Sequence, residues 1–282
     1  MSAFITPVIA AYVLVVTLIF GLVMGSFLNC LAWRATHSES VLKGRSHCAT
    51  CGHVLAWRDL IPVVSWLLSG GRCRYCGEHI SCRYPVTEII CAAAYVAVVA
   101  RFGMTLETVE ILIFCSILLV VSLTDIDDMR IPNSCIVTAS IVRVLYLVVA
   151  AALGPQTPWV SLGSTAGAGS MASTVLYYVA SAAGVGVALV VLALIMDRVL
   201  GRASMGWGDA KLLAVAALYV GWQQSLLAIL LACIFGIITG LWQQRKAGSD
   251  AFAWGPSIAL ATFITLLAGD ALIGFYLGLF TI

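Results

Sequence analysis

Charge is scarce in this sequence: Asp, Glu, Lys and Arg together make up 10% of 282 residues, and the net charge is only +2. Soluble domains carry about a quarter of their residues charged, so a soluble globular protein is excluded. The charge total offers nothing to a nucleic-acid backbone, and no nucleic-acid partner is expected. The first apolar run, from about Phe4 to Val23, has no basic segment before it and no small-residue cleavage site after it, so it reads as a retained span and not a removed signal. No glycine-rich nucleotide fingerprint occurs. Nor does a convincing internal repeat, which counts against the repeat-built transporters.

What is abundant is apolar: 62% of the residues are hydrophobic, and the mean hydropathy is +1.05. The chain is therefore an all-α polytopic membrane protein. A bilayer core takes about 20 apolar helical residues. On that measure spans are expected near 4–28, 86–100, 108–124, 133–152, 173–196, 209–221, 225–241 and 255–270, about eight transmembrane helices in all. Basic residues orient them. The loop from Arg34 to Arg83 carries Arg34, Lys43, Arg45, Arg58, Arg72, Arg74 and Arg83; with Arg130, Arg198, Arg202, Lys211, Arg245 and Lys246 these fall on one side of an eight-span layout. Arg101 alone falls on the other, and Arg143 lies within a span. The positive-inside rule makes the basic side cytoplasmic, with both chain ends outside. The uncharged stretch from Gly154 to Ser173, rich in Gly, Ser, Thr and Ala, reads as an exterior linker. Asp270 interrupts the last run, and the span is expected to end there, leaving Ala271 to Ile282 along the outer interface.

Four of the ten cysteines form two matched units, Cys48-Ala49-Thr50-Cys51 and Cys73-Arg74-Tyr75-Cys76, inside the basic loop. Each pair can bite one side of a tetrahedral zinc ion, with Gly52 and Gly77 as turn residues, in the manner of a zinc ribbon. A loop of this size has too small a core to fold without a staple. Four thiolates fill the coordination shell, so the metal is expected to be structural. His47 and His53 flank the first unit and read as solvated side chains; Cys82 is a spare ligand. Cys30, Cys91, Cys115, Cys135 and Cys233 sit in apolar surroundings where cysteine behaves as a small hydrophobe.

The candidate catalytic residues are Asp125 and Asp209. An ionisable carboxylate beside a spanning segment is costly to keep and points to function. Asp125 ends one apolar run, whereas Asp127 and Asp128 beside Arg130 read as a solvated turn. Asp209 opens another run inside Gly206-Trp207-Gly208-Asp209-Ala210-Lys211-Leu212, where Gly206, Gly208 and Lys211 are the supporting motif. Two glycines there would let an extended substrate backbone come close to the carboxylate. On the deduced topology both aspartates lie at the cytoplasmic face, where two carboxyls sharing one proton can activate water, as in aspartic proteases.

These motifs resemble, in order and spacing, those of the type IV leader peptidase family, the prepilin peptidases among the intramembrane aspartic proteases. The similarity runs through Gly25-Ser26-Phe27-Leu28-Asn29 with Arg34, Ile61-Pro62 to Ser65-Trp66, and Gly71 to Gly77. It continues through Ser81-Cys82-Arg83-Tyr84-Pro85 with Glu88, Asp125 with Ile131-Pro132-Asn133, Gly206 to Leu212, and Gly255-Pro256. Two positions depart from the common pattern, Asn133 where many members carry Asp, and Cys82. The resemblance implies cleavage of a basic leader from prepilins or pseudopilins, after Gly and usually before Phe, with Asp125 and Asp209 as the catalytic pair. It also implies N-methylation of the new terminus with S-adenosylmethionine by the amino-terminal half. Expected partners are those precursors and membrane lipid, in the bacterial cytoplasmic (inner) membrane, with the substrate drawn from type IV pili, type II secretion or competence. The implied layout is a first span (1–33), a cytoplasmic four-cysteine zinc-binding loop domain tied to methyl transfer (34–85) and a membrane peptidase domain (86–282). Presenilin-like proteases share the Gly-x-Gly-Asp element, but Thr124 stands where they carry Tyr and no Pro-Ala-Leu follows. A proton-coupled transporter and a non-catalytic assembly factor are the alternatives from other classes.

Overall fold

The computed structural model describes residues 7–37, 39–40, 44–153, 171–201, 205–247 and 252–279. The linker read at Gly154 to Ser173 lies almost wholly outside them, as do Lys43 and Arg202. The chain divides into two units, Met1–Met104 and Thr105–Ile282.

The first unit is built on two long helices, α1 (Pro7–Thr36) and, after the short α2 (Val64–Leu68), α3 (Arg83–Phe102). Gly21 and Gly25 let their backbones meet. A Cβ on Gly21 would lie 2.6 Å from the Cα of Ala92, and one on Gly25 2.7 Å from that of Glu88. Close approach through small residues four apart is how helices associate without a hydrophobic drive from water. Asn29, buried in the same seam, donates to Thr87. Among the described residues the loop between α1 and α3 contains no strand longer than a single bridge, His47 with Val54 and Arg72 with His79.

The second unit comprises α4 (Leu106–Asp128), α5 (Asn133–Leu153), α6 (Met171–Leu200), α7 (Trp207–Ala247) and α8 (Gly255–Gly278). Among the described residues seven helices are long and apolar enough to cross a membrane, and the chain is a multi-pass membrane protein. Backbone groups in a bilayer need partners within the segment, and helices supply them. One of the seven, α7, is interrupted at Gly221, whose φ of 77° and ψ of 172° are not helical. Its second half lies antiparallel to α8, because Gly236 packs on Trp254 just before α8 starts while Gln224 donates to Asp270 well along it (2.6 Å). Its first half begins against Ile131. The helix therefore doubles back at Gly221, between the segments 209–221 and 225–241 that the sequence marks as separate spans.

The reversal frees carbonyls that a continuous helix would satisfy, and Arg143 takes two of them. Its Nε donates to the carbonyl of Leu218 (3.0 Å) and its Nη2 to that of Tyr219 (3.2 Å). The same guanidinium pairs with both oxygens of Glu110 at 3.2 and 3.1 Å, and the rings of Tyr146, Tyr178 and Tyr219 surround it. Arginine matches this task because its planar fork offers five donors.

The last helix, α8, continues past Asp270 to Gly278, and the Asp270 carboxylate accepts from the side-chain amide of Gln224, three residues beyond the reversal at Gly221.

Candidate active site

Asp125 sits in the last turn of α4 and is 5% exposed. The helix ends directly after it, with Met129 in the left-handed conformation (φ 52°) and its N–H returned to the Asp125 carbonyl (2.9 Å). Asp127 and Asp128 face outward, as their place beside Arg130 suggested. What fixes the Asp125 carboxyl comes from α8: the backbone N–H of Gly255 donates to Oδ2 at 2.7 Å. Gly255 opens that helix, and its N–H is one of the orphan donors of a helix start. The following Pro256 has no N–H to offer. An acid at the positive end of a helix dipole is favourably placed. A Cβ on Gly255 would lie 2.7 Å from Oδ2 and 3.1 Å from Cγ of Asp125, so only glycine lets the two meet this way. In the sequence Gly255-Pro256 is part of a motif with no stated place in the site. A glycine before a proline at a helix start is the available signal, but its partner is 130 residues distant.

Asp209 lies in the first turn of α7, half-buried, within electrostatic reach of Asp125. Its carboxyl folds back over Gly206, where a Cβ would come within 2.7 Å of Oδ2. Gly208 packs on Ile131, with a Cβ there 3.1 Å from that side chain. The two glycines thus make room for Asp209 itself and for the segment following α4. Lys211 donates to Oδ1 of Asn133 (3.1 Å) and ties the start of α7 to the start of α5. Three helix ends, those of α4, α7 and α8, thereby converge on the two carboxyls.

The four cysteines of the two Cys-x-x-Cys units also come together, their sulfurs all within 4.8 Å of one another. A tetrahedral ion with about 2.3 Å metal–sulfur bonds would set sulfurs roughly 3.8 Å apart, close to the 4.0 Å between Cys48 and Cys76. The two units have one geometry. The N–H of Gly52 returns to the Cys48 carbonyl and that of Gly77 to the Cys73 carbonyl, both at 2.9 Å. Both glycines have positive φ, 69° and 74°, as the sharp turn requires. The Cys51 amide draws the Cys48 thiol down to about 7. At Cys76 the Glu78 amide pulls the same way but is outweighed by desolvation and the neighbouring sulfurs, which hold that thiol up at about 12. Four crowded sulfurs cannot all ionise without a cation among them, and a metal ion relieves that conflict. Cys82, His47 and His53 lie outside the cluster; His53 stacks on Tyr75 instead.

Residues 19–102 match the family model described as the Bacterial Peptidase A24 N-terminal domain, and residues 112–241 match that of the Type IV leader peptidase family. The chain is similar to proteins named prepilin leader peptidase/N-methyltransferase. In Bacillus subtilis the identity is 30%, covering 92% of this chain and 96% of that protein. In Pseudomonas putida it is 29%, covering 92% of each, and in Pseudomonas aeruginosa 29%, covering 93% and 92%. No solved structure matches. With the converging aspartates, the thiol cluster and relatives aligned over nearly its whole length, the chain belongs to the type IV leader peptidase family.

Proposed function

We propose that this protein removes the basic leader from prepilins or pseudopilins at the cytoplasmic face of a bacterial inner membrane, cutting after Gly and usually before Phe. It then methylates the exposed amino terminus, with S-adenosylmethionine as donor. The observation that carries the peptidase reading is the convergence of Asp125 and Asp209 at three helix ends. Nothing in the fold favours a transporter or a scaffold.

In this reading the aspartates divide the work. A backbone N–H donates more strongly to a carboxylate than to a carboxylic acid, so the amide of Gly255 at Oδ2 assigns Asp125 the ionised role and Asp209 the proton shared by the pair. Asp125 then takes a proton from the attacking water, while Asp209 donates to the scissile carbonyl; a proton is returned to the leaving amine as the C–N bond breaks. Lys211, engaged with Asn133, positions the start of α7 and takes no proton. The thiols Cys48, Cys51, Cys73 and Cys76 hold a zinc ion that staples the loop of residues 34–85 and, with its shell filled, does no chemistry. That loop, with the helix ends that flank it, serves methyl transfer, and the helices from α4 onward, which carry Asp125 and Asp209, serve cleavage.

The test is cleavage of a synthetic precursor with a basic leader and a Gly-Phe junction by the purified protein, followed by mass and amino-terminal sequence of the product. Cleavage by wild type and its loss in folded Asp125→Asn and Asp209→Asn is the expected outcome. Equal behaviour of all three proteins would overturn the assignment.

A further inference from the structure

The first unit encloses a cavity of about 410 Å³, walled by the last turns of α1, the cysteine loop and the start of α3. Two of its charged residues are deeply buried, Arg34 at 8% exposure and Glu88 at 6%. Neither has an opposite charge among the described residues. Asp59, also in the wall, is already paired with Arg74 (3.2 Å). Arg34 reaches only the carbonyl of Ser40, at 3.4 Å. Glu88 accepts the N–H of Val63 at 2.7 Å and a hydrogen bond from Ser26. Val63 is a β-branched residue held at a φ of 60°, a conformation such residues rarely adopt. Burying two unpaired charges is costly, and a cavity lined by both is a site for a ligand that supplies the missing partners.

The spacing of those charges says what the ligand carries. Ser26, Cys30 and Arg34 recur every four residues on one face of α1, and Glu88 packs level with Gly25. With a rise of 1.5 Å per residue, Arg34 lies about 14 Å along the helix from the level of Glu88. Trp33, Trp66 and Tyr84 also line the cavity. The ligand therefore presents an anion at one end, positive charge toward the other, and a flat ring for the aromatic wall.

We propose that this cavity is the methyl-donor site, a proposal that rests on the methyl-transfer reading above. The α-carboxylate of S-adenosylmethionine pairs with Arg34, its purine lies on the aromatic wall, and the acceptor's amino group enters beside Glu88. Glu88 accepts a proton from the acceptor ammonium. The freed nitrogen lone pair forms a bond to the methyl carbon as the carbon–sulfur bond breaks, its electron pair staying on sulfur. The positive charge passes from sulfur to nitrogen and the donor leaves as a neutral thioether.

The experiment uses the full zinc-loaded chain in detergent and a cleaved substrate with a free amino-terminal Phe. Binding of S-adenosylhomocysteine is measured by calorimetry, methyl addition by mass, and leader cleavage serves as the check on folding. Arg34→Gln is expected to weaken binding at least tenfold and Arg34→Lys less. Glu88→Gln is expected to bind within a few-fold of wild type and to lose methyl addition, and all three variants retain cleavage. Independently of any variant, S-adenosylhomocysteine at a concentration that stops methylation is expected to slow maleimide labelling of Cys30, which lines the cavity. Unchanged labelling, or wild-type binding and methylation by the variants, overturns the site while leaving methyl transfer standing. A wild-type chain that neither binds nor methylates overturns both.

Discussion

A single backbone amide, that of Gly255, distinguishes the two carboxyls, because it meets Asp125 and not Asp209. Gly255→Ala brings a methyl group to within 2.7 Å of the Asp125 carboxylate, so the carboxyl must move or the helix start must. Displacing a reacting group by about 1 Å costs on the order of 100-fold in rate. The expected result is a kcat for leader cleavage lower by about 100-fold with KM little changed, read from steady-state kinetics on the precursor. A KM effect alone would make Gly255 a substrate contact. This partnership was not legible in the sequence. Asp125 and Asp209 announce themselves as acids at the ends of apolar runs, and Asp209 brings its glycines with it. A backbone donor on a third helix leaves no trace except the glycine itself.

The elements show where hydropathy is a sufficient guide and where it fails. Span positions follow from apolar length, and even the reversal inside α7 was legible as the boundary between 209–221 and 225–241. Asp270 was legible as a charge in an apolar run, but its partner Gln224, on a neighbouring helix, was not. Arg143 was unreadable for the same reason, since its partners lie 33, 75 and 76 residues away. Removing one side of a buried ion pair typically costs about 3–5 kcal/mol, and here it also strands the carbonyls of Leu218 and Tyr219. Arg143→Met is expected to destabilise the second unit by that amount, measured as a fall in denaturation midpoint in detergent. A loss under about 1 kcal/mol would mean that the freed carbonyls find water or other partners. The cysteine loop is the opposite case, fully legible because a Cys-x-x-Cys turn is local. Its prediction concerns metal: one zinc per chain by elemental analysis, and proteolysis between residues 46 and 80 appearing only after chelation. A loop equally resistant without metal would remove zinc as its staple.

At the scale of the molecule, the aspartates belong wholly to Thr105–Ile282 and the thiol cluster with its cavity wholly to Met1–Met104. Each unit supplies its own packing, the first through the α1–α3 seam and the second through a core around Phe114, Tyr219 and Ile258. If the two reactions follow that division, they are chemically separable in an intact chain. Asp125→Asn and Asp209→Asn are expected to lower leader cleavage by at least about 10³-fold, the scale of a lost acid or base. Offered a substrate already cleaved to its mature amino terminus, the same variants are expected to methylate it at close to the wild-type rate, since no atom of either carboxyl takes part. Mass spectrometry of both substrates, in parallel on one preparation, checks the pair of outcomes. Loss of both activities in variants that keep the wild-type denaturation midpoint would show that methyl transfer needs the aspartates, and the division of labour between the units would fall with it.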